Sequence, residues 1–205
     1  MTGESDATDI ADATTVLLLA PNVEGRSVDA CVRALARVDE ELDRAVAVTV
    51  GSSAADWLSR WGEGPMAATP VTCVDVDDVT RSAATESRAR SGDAANAAVE
   101  TVADPADLES LGRRISDVLQ RADESGETAA VAVHSLTGIL GHVDERVAFK
   151  FVYTLGEVVR RIDGTVVFHL DPDAHDAETV ETFRIGCDEV VEFGRGSDRK
   201  RNRET

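Results

Sequence analysis

Runs of apolar residues alternate with amphipathic stretches along most of the chain. The first run, Val16-Leu17-Leu18-Leu19, has no polar alternation, which is typical of a strand buried on both faces of a parallel sheet. Similar runs predict further strands at residues 45–50, 70–76, 128–133, 165–170 and 189–193. Helical spacing between these runs predicts helices over residues 26–43, around Trp57 and Trp61, from Asp104 to Gly126, from Asp144 to Gly164, and through Phe183. This alternation predicts an α/β fold in which helices cover both faces of a mostly parallel sheet.

The polar stretches set the boundaries of this domain. Residues 1–13 are small, polar and acidic and predict a disordered tail, so the single domain spans residues 14–193. Residues 81–98 contain almost no large apolar side chain and predict a flexible insertion within it. Residues 194–205 form a charged tail with the only basic run of the chain. Because that run is short and lacks aromatic residues, a solvated tail is favoured over a contact with an acidic partner or nucleic acid.

Two further sets of residues favour the core over a functional role. Trp57 and Trp61 lie one helical turn apart, a spacing more typical of a core-facing pair than of a platform for a ligand. Cys31, Cys73 and Cys187 are odd in number and far apart in sequence, and no two of them form a Cys-x-x-Cys pair. This usage predicts three free thiols in a reducing cytoplasm, buried as small apolar side chains.

The charge of the chain changes the partners that we expect. The sequence has 39 acidic residues against 21 lysines and arginines, a formal net charge of -18, which opposes any general affinity for nucleic acid or an anionic membrane. Only Lys150 and Lys200 are lysines, and such a composition resembles that of proteins from extreme halophiles. The acidic N-terminus lacks the features of a signal peptide, and no apolar run approaches the ~20 residues needed to cross a bilayer. A soluble, cytoplasmic protein is therefore expected.

The turn after the first predicted strand carries the first candidate chemistry. From Ala20 the sequence reads Ala-Pro-Asn-Val-Glu-Gly-Arg-Ser, which keeps two defined positions, Gly25 and Ser27, of the phosphate-loop pattern Gly-x-x-x-x-Gly-Lys-Ser/Thr. Its place between a buried strand and a helix is the one that the pattern requires. Pro21 has no N–H group to offer a phosphate, and Arg26 keeps the charge of the lysine in a bulkier, planar form. The phosphate cradle is therefore compromised, and Gly25, Arg26 and Ser27 are its candidate contacts.

The apolar run at residues 129–133 ends in His134-Ser135-Leu136-Thr137. In RecA-like ATPases such a strand ends in an aspartate that holds magnesium, and in the KaiC branch this aspartate is commonly followed by Ser-Leu-Thr-like residues. Together with the turn at residues 20–27, this motif resembles the RecA/KaiC-like P-loop superfamily, in particular degenerate forms found in halophilic archaea. The resemblance spans residues 14–193 and implies a RecA-like architecture. It also implies cofactor-binding positions at Gly25, Arg26, Ser27, His134 and Ser135.

The same resemblance implies that ATP hydrolysis has been lost. The phosphate-loop lysine is replaced by Arg26, and the magnesium aspartate by His134, whose imidazole is a poor ligand for a hard cation that prefers oxygen. The catalytic glutamate that the family places after the second strand has no counterpart in residues 50–53. We therefore assign no catalytic residue, and ATP is a candidate ligand only.

A third cluster combines His169 with the polar loop at residues 171–176. If the sheet has the RecA-like strand order, the strand with His169 lies beside the strand with His134, about 5 Å away, and both imidazoles meet at the carboxyl edge. With His175 they form a candidate site for zinc or another transition metal. The favoured alternative is that residues 171–176 form turns and caps and that the histidines bond to nearby backbone.

Three functional hypotheses follow, in order of preference. The first is a non-catalytic KaiC/RecA-like module that acts in signalling or regulation by binding a protein partner or a ligand, with a homo-oligomer expected by analogy. The second is a nucleotide-binding protein with weak ATPase activity through residues 20–27. The third is a metal-dependent enzyme that uses His134, His169 and His175.

Overall fold

The computed structural model describes residues 13–23, 25–38, 42–76 and 96–193. Within them, the strands are β1 Thr15–Leu19, β2 Arg44–Val50, β3 Val71–Val76, β4 Ala97–Val102, β5 Ala129–His134, β6 Thr165–Leu170 and β7 Glu189–Glu192. The helices are α1 Arg26–Val38, α2 Ala54–Glu63, α3 Leu108–Ser125, α4 Leu136–Leu140, α5 Glu145–Arg160 and α6 Ala177–Ile185.

The seven strands form one sheet in the order β4-β3-β2-β5-β6-β1-β7, and every pair in it is parallel. The sheet belongs to a single α/β domain flanked by helices, consistent with a RecA-like architecture. Because the strands are parallel, all of their carboxyl ends lie at one edge. β1, which precedes the phosphate-loop-like turn, pairs with β6 and β7, while β5 lies between β2 and β6.

Two apolar clusters cover the two faces of the sheet. Helices α1 and α2 pack on one face, where Leu35, Trp57 and Trp61 are buried. Helices α3 to α6 pack on the other face, where Ile115 and Val152 belong to the core. The strands between them are buried on both faces, which explains why their sequences run as continuous apolar stretches without alternation.

The predicted core roles of the tryptophans and of two cysteines are confirmed. The rings of Trp57 and Trp61 are buried and stacked, with centroids 5.3 Å apart. Cys31 and Cys73 are fully buried, while Cys187 is half-buried, and all three are free thiols. Burial of this kind stabilises the fold and keeps the thiols away from solvent.

Most predicted strands are confirmed, but several boundaries are wrong. The first helix is described as far as Val38, and residues 42–43, which were predicted to belong to it, lie outside a helix. The helix predicted to begin at Asp104 begins at Leu108, because the side chain of Asp107, rather than that of Asp104, accepts the N–H of Ser110 and caps it. Strand β4 and the short helix α4 were not predicted from the sequence.

The predicted tails and insertion meet the described residues only in part. Ala13, assigned to the N-terminal tail, is buried, and its carbonyl accepts a hydrogen bond from Thr165. Residues 97–98, assigned to the insertion, belong to β4. The rest of the N-terminal tail, residues 81–95 and the C-terminal tail at 194–205 lie outside the described residues. Among the helices described, none has the length and apolar character needed to span a membrane.

Candidate functional site

A chain of hydrogen bonds joins the ends of four strands at the carboxyl edge of the sheet. Asp171, directly after β6, accepts the backbone N–H of Asn22 in the turn after β1, at 3.0 Å. The side chain of Asn22 accepts the hydroxyl of Ser27 at 3.1 Å. His134, the last residue of β5, contacts Ser27 through Nε2 at 3.0 Å and Ser52, after β2, through Nδ1 at 3.1 Å. We call Asp171, Asn22, Ser27, His134 and Ser52 the edge network.

The direction of these bonds follows from the number of protons available. Ser27 has one hydroxyl proton and gives it to Asn22, so that its oxygen accepts from His134 Nε2. In a neutral imidazole the other nitrogen is then an acceptor, and Ser52 donates to His134 Nδ1. The bond to Ser52 does not itself require a neutral ring, because the Ser52 oxygen could also accept Nδ1–H from a protonated His134; burial of the ring is what disfavours the proton.

A second imidazole lies against the first. The rings of His134 and His169 are stacked, with centroids 4.8 Å apart and planes 12° apart. His169 Nε2 donates to the carbonyl of Ala20, at 2.9 Å, whereas His169 Nδ1 is buried and has no partner among the described residues. This arrangement confirms the predicted neighbourhood of the two histidines and, for His169, the predicted bond to nearby backbone. It also ties the start of the turn to β6.

Burial makes both histidines weak bases. Burial, together with neighbouring His169, lowers the pKa of His134 from 6.5 to about 3. The pKa of His169 is also lowered by burial, against the opposing effects of the Ala20 carbonyl and the charge of Asp171. A serine next to a histidine becomes a nucleophile only when the imidazole is an effective base near the working pH. His134 is therefore a weak base, and in this network its Nε2–H donates to the Ser27 oxygen instead of accepting the hydroxyl proton.

Backbone N–H groups in the turn between β1 and α1 donate hydrogen bonds to acceptors within the protein. In addition to the Asn22 bond to Asp171, the N–H of Val23 donates to the carbonyl of Pro21, and the N–H of Arg26 donates to that of Val23. A working phosphate loop points such N–H groups at the ligand instead. Asp171 also places a carboxylate where the turn would meet a phosphate. These residues therefore do not fit a magnesium nucleotide in the manner that the resemblance implies.

Positive charge remains beside the turn. Gly25 has a positive φ of 71°, and a Cβ at this position would lie 1.9 Å from Nη2 of Arg60. The guanidinium of Arg60 thus covers Gly25, and its Nη1 also forms an ion pair with Asp29 at 2.9 Å. Arg26, the first residue of α1, is exposed. Two arginines therefore lie at the phosphate-loop-like turn, and sequence reasoning identified only Arg26.

The remaining predicted site residues serve local structure. Ser135, which the resemblance implies as a cofactor-binding position, caps α4 by accepting the N–H of Gly138 at 3.1 Å. His175 Nε2 lies 3.1 Å from Oγ1 of Thr137, which also accepts the N–H of Asp171. The side chain of Asp176 caps α6. The turn-and-cap interpretation of residues 171–176 is thus confirmed.

The structure does not bring the predicted metal ligands together as a set. In the part of the chain that the structure describes, no three His, Cys, Asp or Glu side chains are placed so that they could hold a metal ion. Both ring nitrogens of His134 already bond to serines, and one nitrogen of His175 contacts a threonine. The prediction of a metal site at His134, His169 and His175 therefore gains no support.

Three members of the edge network were not recognised as partners from the sequence. Ser52 lies two residues after the end of β2, in the stretch where the sequence lacks the family's catalytic glutamate. Asn22 lies in the variable part of the phosphate-loop pattern, and Asp171 was interpreted as a turn residue or metal donor. The available signal was their shared position, since each lies within three residues of the carboxyl end of a strand in the same parallel sheet.

A comparison with known families places the whole domain in one of them. The model of a family of unknown function, DUF7504, matches residues 13–193. The chain belongs to this family. The match covers every strand and helix described above, from β1 to β7, together with the complete edge network. No curated protein matches the chain.

Proposed function

We propose that this chain is a non-catalytic RecA/KaiC-like module that acts in signalling or regulation by binding a protein partner or a ligand. The observation that carries the proposal is the edge network. It lies at the carboxyl edge of the sheet, where the resemblance implies a site for nucleotide and magnesium, and its donors and acceptors bond to one another. A site closed in this way supports a scaffold whose function lies in recognition.

The residues at the edge also argue against hydrolysis. A magnesium ion needs oxygen ligands, and His134 offers nitrogen atoms that already bond to Ser27 and Ser52. The lowered pKa of His134 leaves it a weak base for activating water. The negative charge of Asp171 would repel a phosphate at the turn, which weakens anion binding there further.

The proposed partner is a protein, with a second copy of this chain included. A formal net charge of -18 opposes nucleic acid as a partner, because phosphate binding depends on clustered positive charge. The acidic, lysine-poor composition also supports a place in a salt-rich cytoplasm, where potassium and chloride ions screen repulsion between carboxylates.

A nucleotide-binding protein with weak ATPase activity is the second candidate, and one observation favours it. Arg26 begins α1, and the guanidinium of Arg60 lies against Gly25, so two cations lie at the N-terminus of a 13-residue helix. Helix N-termini favour anions, and guanidinium groups are good phosphate partners. Under this candidate, the turn binds phosphate through these charges despite the internal bonds of Asn22 and Val23.

Calorimetric titration of magnesium ATP into the full chain, in multimolar potassium chloride, separates the two candidates. The parent, Arg26→Ala and Arg37→Ala are compared, because Arg37 is exposed in the last turn of the same helix and controls for loss of charge. The regulatory proposal expects no saturable heat from any of the three. Micromolar binding that is lost in Arg26→Ala and kept in Arg37→Ala would overturn it in favour of a nucleotide-binding protein.

A further inference from the structure

A cavity of about 490 Å³ opens between the carboxyl ends of β1 and β7, helix α6 and the loop before it. Its volume falls in the range of sites that bind small molecules. It also lies outside the carboxyl ends of parallel strands, where open α/β sheets bind ligands. The cavity is separate from the edge network, since none of the five network residues lines it.

Apolar and polar groups line the cavity in about equal parts. Leu19 and Pro21 contribute from the end of β1, and Phe193 from the residue after β7. Pro172 lines the opposite side from the loop, and Val180 does so from α6. Such a wall takes the apolar body of a ligand, and the ring of Phe193 can pack against an aromatic or aliphatic group.

Among the charged groups in the cavity wall, one carboxylate has no oppositely charged partner in the described residues. Arg184 on α6 forms an ion pair with Glu192 at the end of β7, so these two charges neutralise one another across the cavity. Glu181, one turn earlier on α6, makes no hydrogen bond or ion pair with any described residue. With His175 neutral, the formal charge of the wall is therefore negative, and it favours a cation.

From this wall we infer that the cavity binds a small organic cation with an apolar body, an ammonium group attached to an aromatic or aliphatic group. The apolar part packs against Leu19, Val180 and Phe193, and the ammonium group lies near Glu181. The regulatory role of this ligand rests on the proposed function, whereas its binding to the cavity does not. Its test uses no nucleotide, so the two proposals succeed or fail separately.

The test titrates 2-phenylethylammonium into the isotopically labelled full chain and follows backbone amide shifts by nuclear magnetic resonance. The neutral analogue 2-phenylethanol and the anion 3-phenylpropionate are titrated in parallel. The potassium chloride concentration is the lowest at which the parent keeps its helical circular dichroism, because salt screens the charge of an exposed carboxylate. We expect saturable shifts at α6 and β7, with the cation binding about threefold more tightly than the alcohol, as is typical of one exposed ion pair.

Three variants make the test specific. Ala177→Phe fills the cavity from an exposed position at the start of α6 and should weaken binding at least about tenfold, because it occupies space that the ligand body needs. Ala174→Phe adds the same side chain at an exposed position outside the cavity wall and should leave binding unchanged. Glu181→Gln should remove the preference for the cation over the alcohol.

Each contrary result overturns a defined part of the inference. No saturable shifts at millimolar probe, or equal binding by the parent and Ala177→Phe, would overturn the cavity as the site. Equal binding of the cation and the alcohol by the parent would overturn the cationic class of the ligand. A cation preference that survives in Glu181→Gln would overturn Glu181 as its partner.

Discussion

The free energy of unfolding should decrease as the pH falls, and part of this decrease should come from His134. The ring is buried, its pKa in the folded protein is about 3, and the ordinary value of 6.5 applies to the unfolded chain. As the pH falls below about 6.5, the unfolded chain takes up a proton that the folded protein excludes. The stabilisation from neutral His134 is therefore fully present above the unfolded pKa, and it is lost progressively between about pH 6.5 and about pH 3.

The size of the effect follows from these two pKa values. Below the unfolded pKa, each pH unit costs about 1.4 kcal/mol per excluded proton. From about pH 7 to about pH 5, the contribution of His134 to the free energy of unfolding falls by about 2 kcal/mol on this basis. This is a sizeable part of the stability of a domain, which is on the order of 5–15 kcal/mol.

Urea unfolding at constant potassium chloride, followed by the fluorescence of Trp57 and Trp61, measures this loss. His134→Asn keeps one donor and one acceptor but cannot titrate, so it should lose about 2 kcal/mol less than the parent between about pH 7 and about pH 5. His142→Asn, at an exposed position, is the matched control and should follow the parent. Equal pH dependence in the parent and His134→Asn would refute the reasoning, as would a His134 ring signal that titrates near 6.5 in the folded parent.

Two further predictions concern the packing around the sheet, and both are measured as free energies of unfolding. Gly138→Ala should destabilise the domain by about 1–3 kcal/mol, because a Cβ there would lie 2.6 Å from the carbonyl oxygen of Val50. Gly62→Ala is the control, because the space around its Cβ is open, and it should be neutral or stabilising by up to about 1 kcal/mol. Asp188→Ala should cost about 1–2 kcal/mol, because its carboxylate accepts both the N–H and the hydroxyl of buried Thr15; an unchanged urea midpoint would show that solvent replaces these bonds.

The sequence predicted those parts of the fold that bury continuous apolar surface. Strands β1, β2, β5 and β6 lie inside the sheet, so nearly all of their residues are apolar and their pattern is strong. The edge strand β4 contains Glu100 and Thr101, and only Val102 of its six residues is buried. A strand with so little buried surface carries no clear periodic signal; residues 97–98 were therefore assigned to the insertion, and residues 99–102 were not predicted as a strand.

The sequence predicted which strand ends meet at the candidate site, but it did not predict the hydrogen bonds between their side chains. The neighbourhood of His134 and His169 follows from strand order alone, since parallel neighbours align their carboxyl ends. The bond from Ser52 to His134 joins residues 82 positions apart, and its geometry depends on the length and rotation of each strand end. A sequence pattern records which residues follow a strand, but it does not record where their side chains point.

The altered residues at the carboxyl edge depend on one another. Ser27 gives its proton to Asn22, and His134 supplies a donor, Nε2–H, to the same oxygen. A carboxylate at residue 134 has no proton to donate, so it would draw the hydroxyl of Ser27 away from Asn22. It would also carry a negative charge at a position that is 2% exposed, and a buried charge without a cation is costly. The histidine therefore belongs with the internal network, and an aspartate at residue 134 would weaken that network.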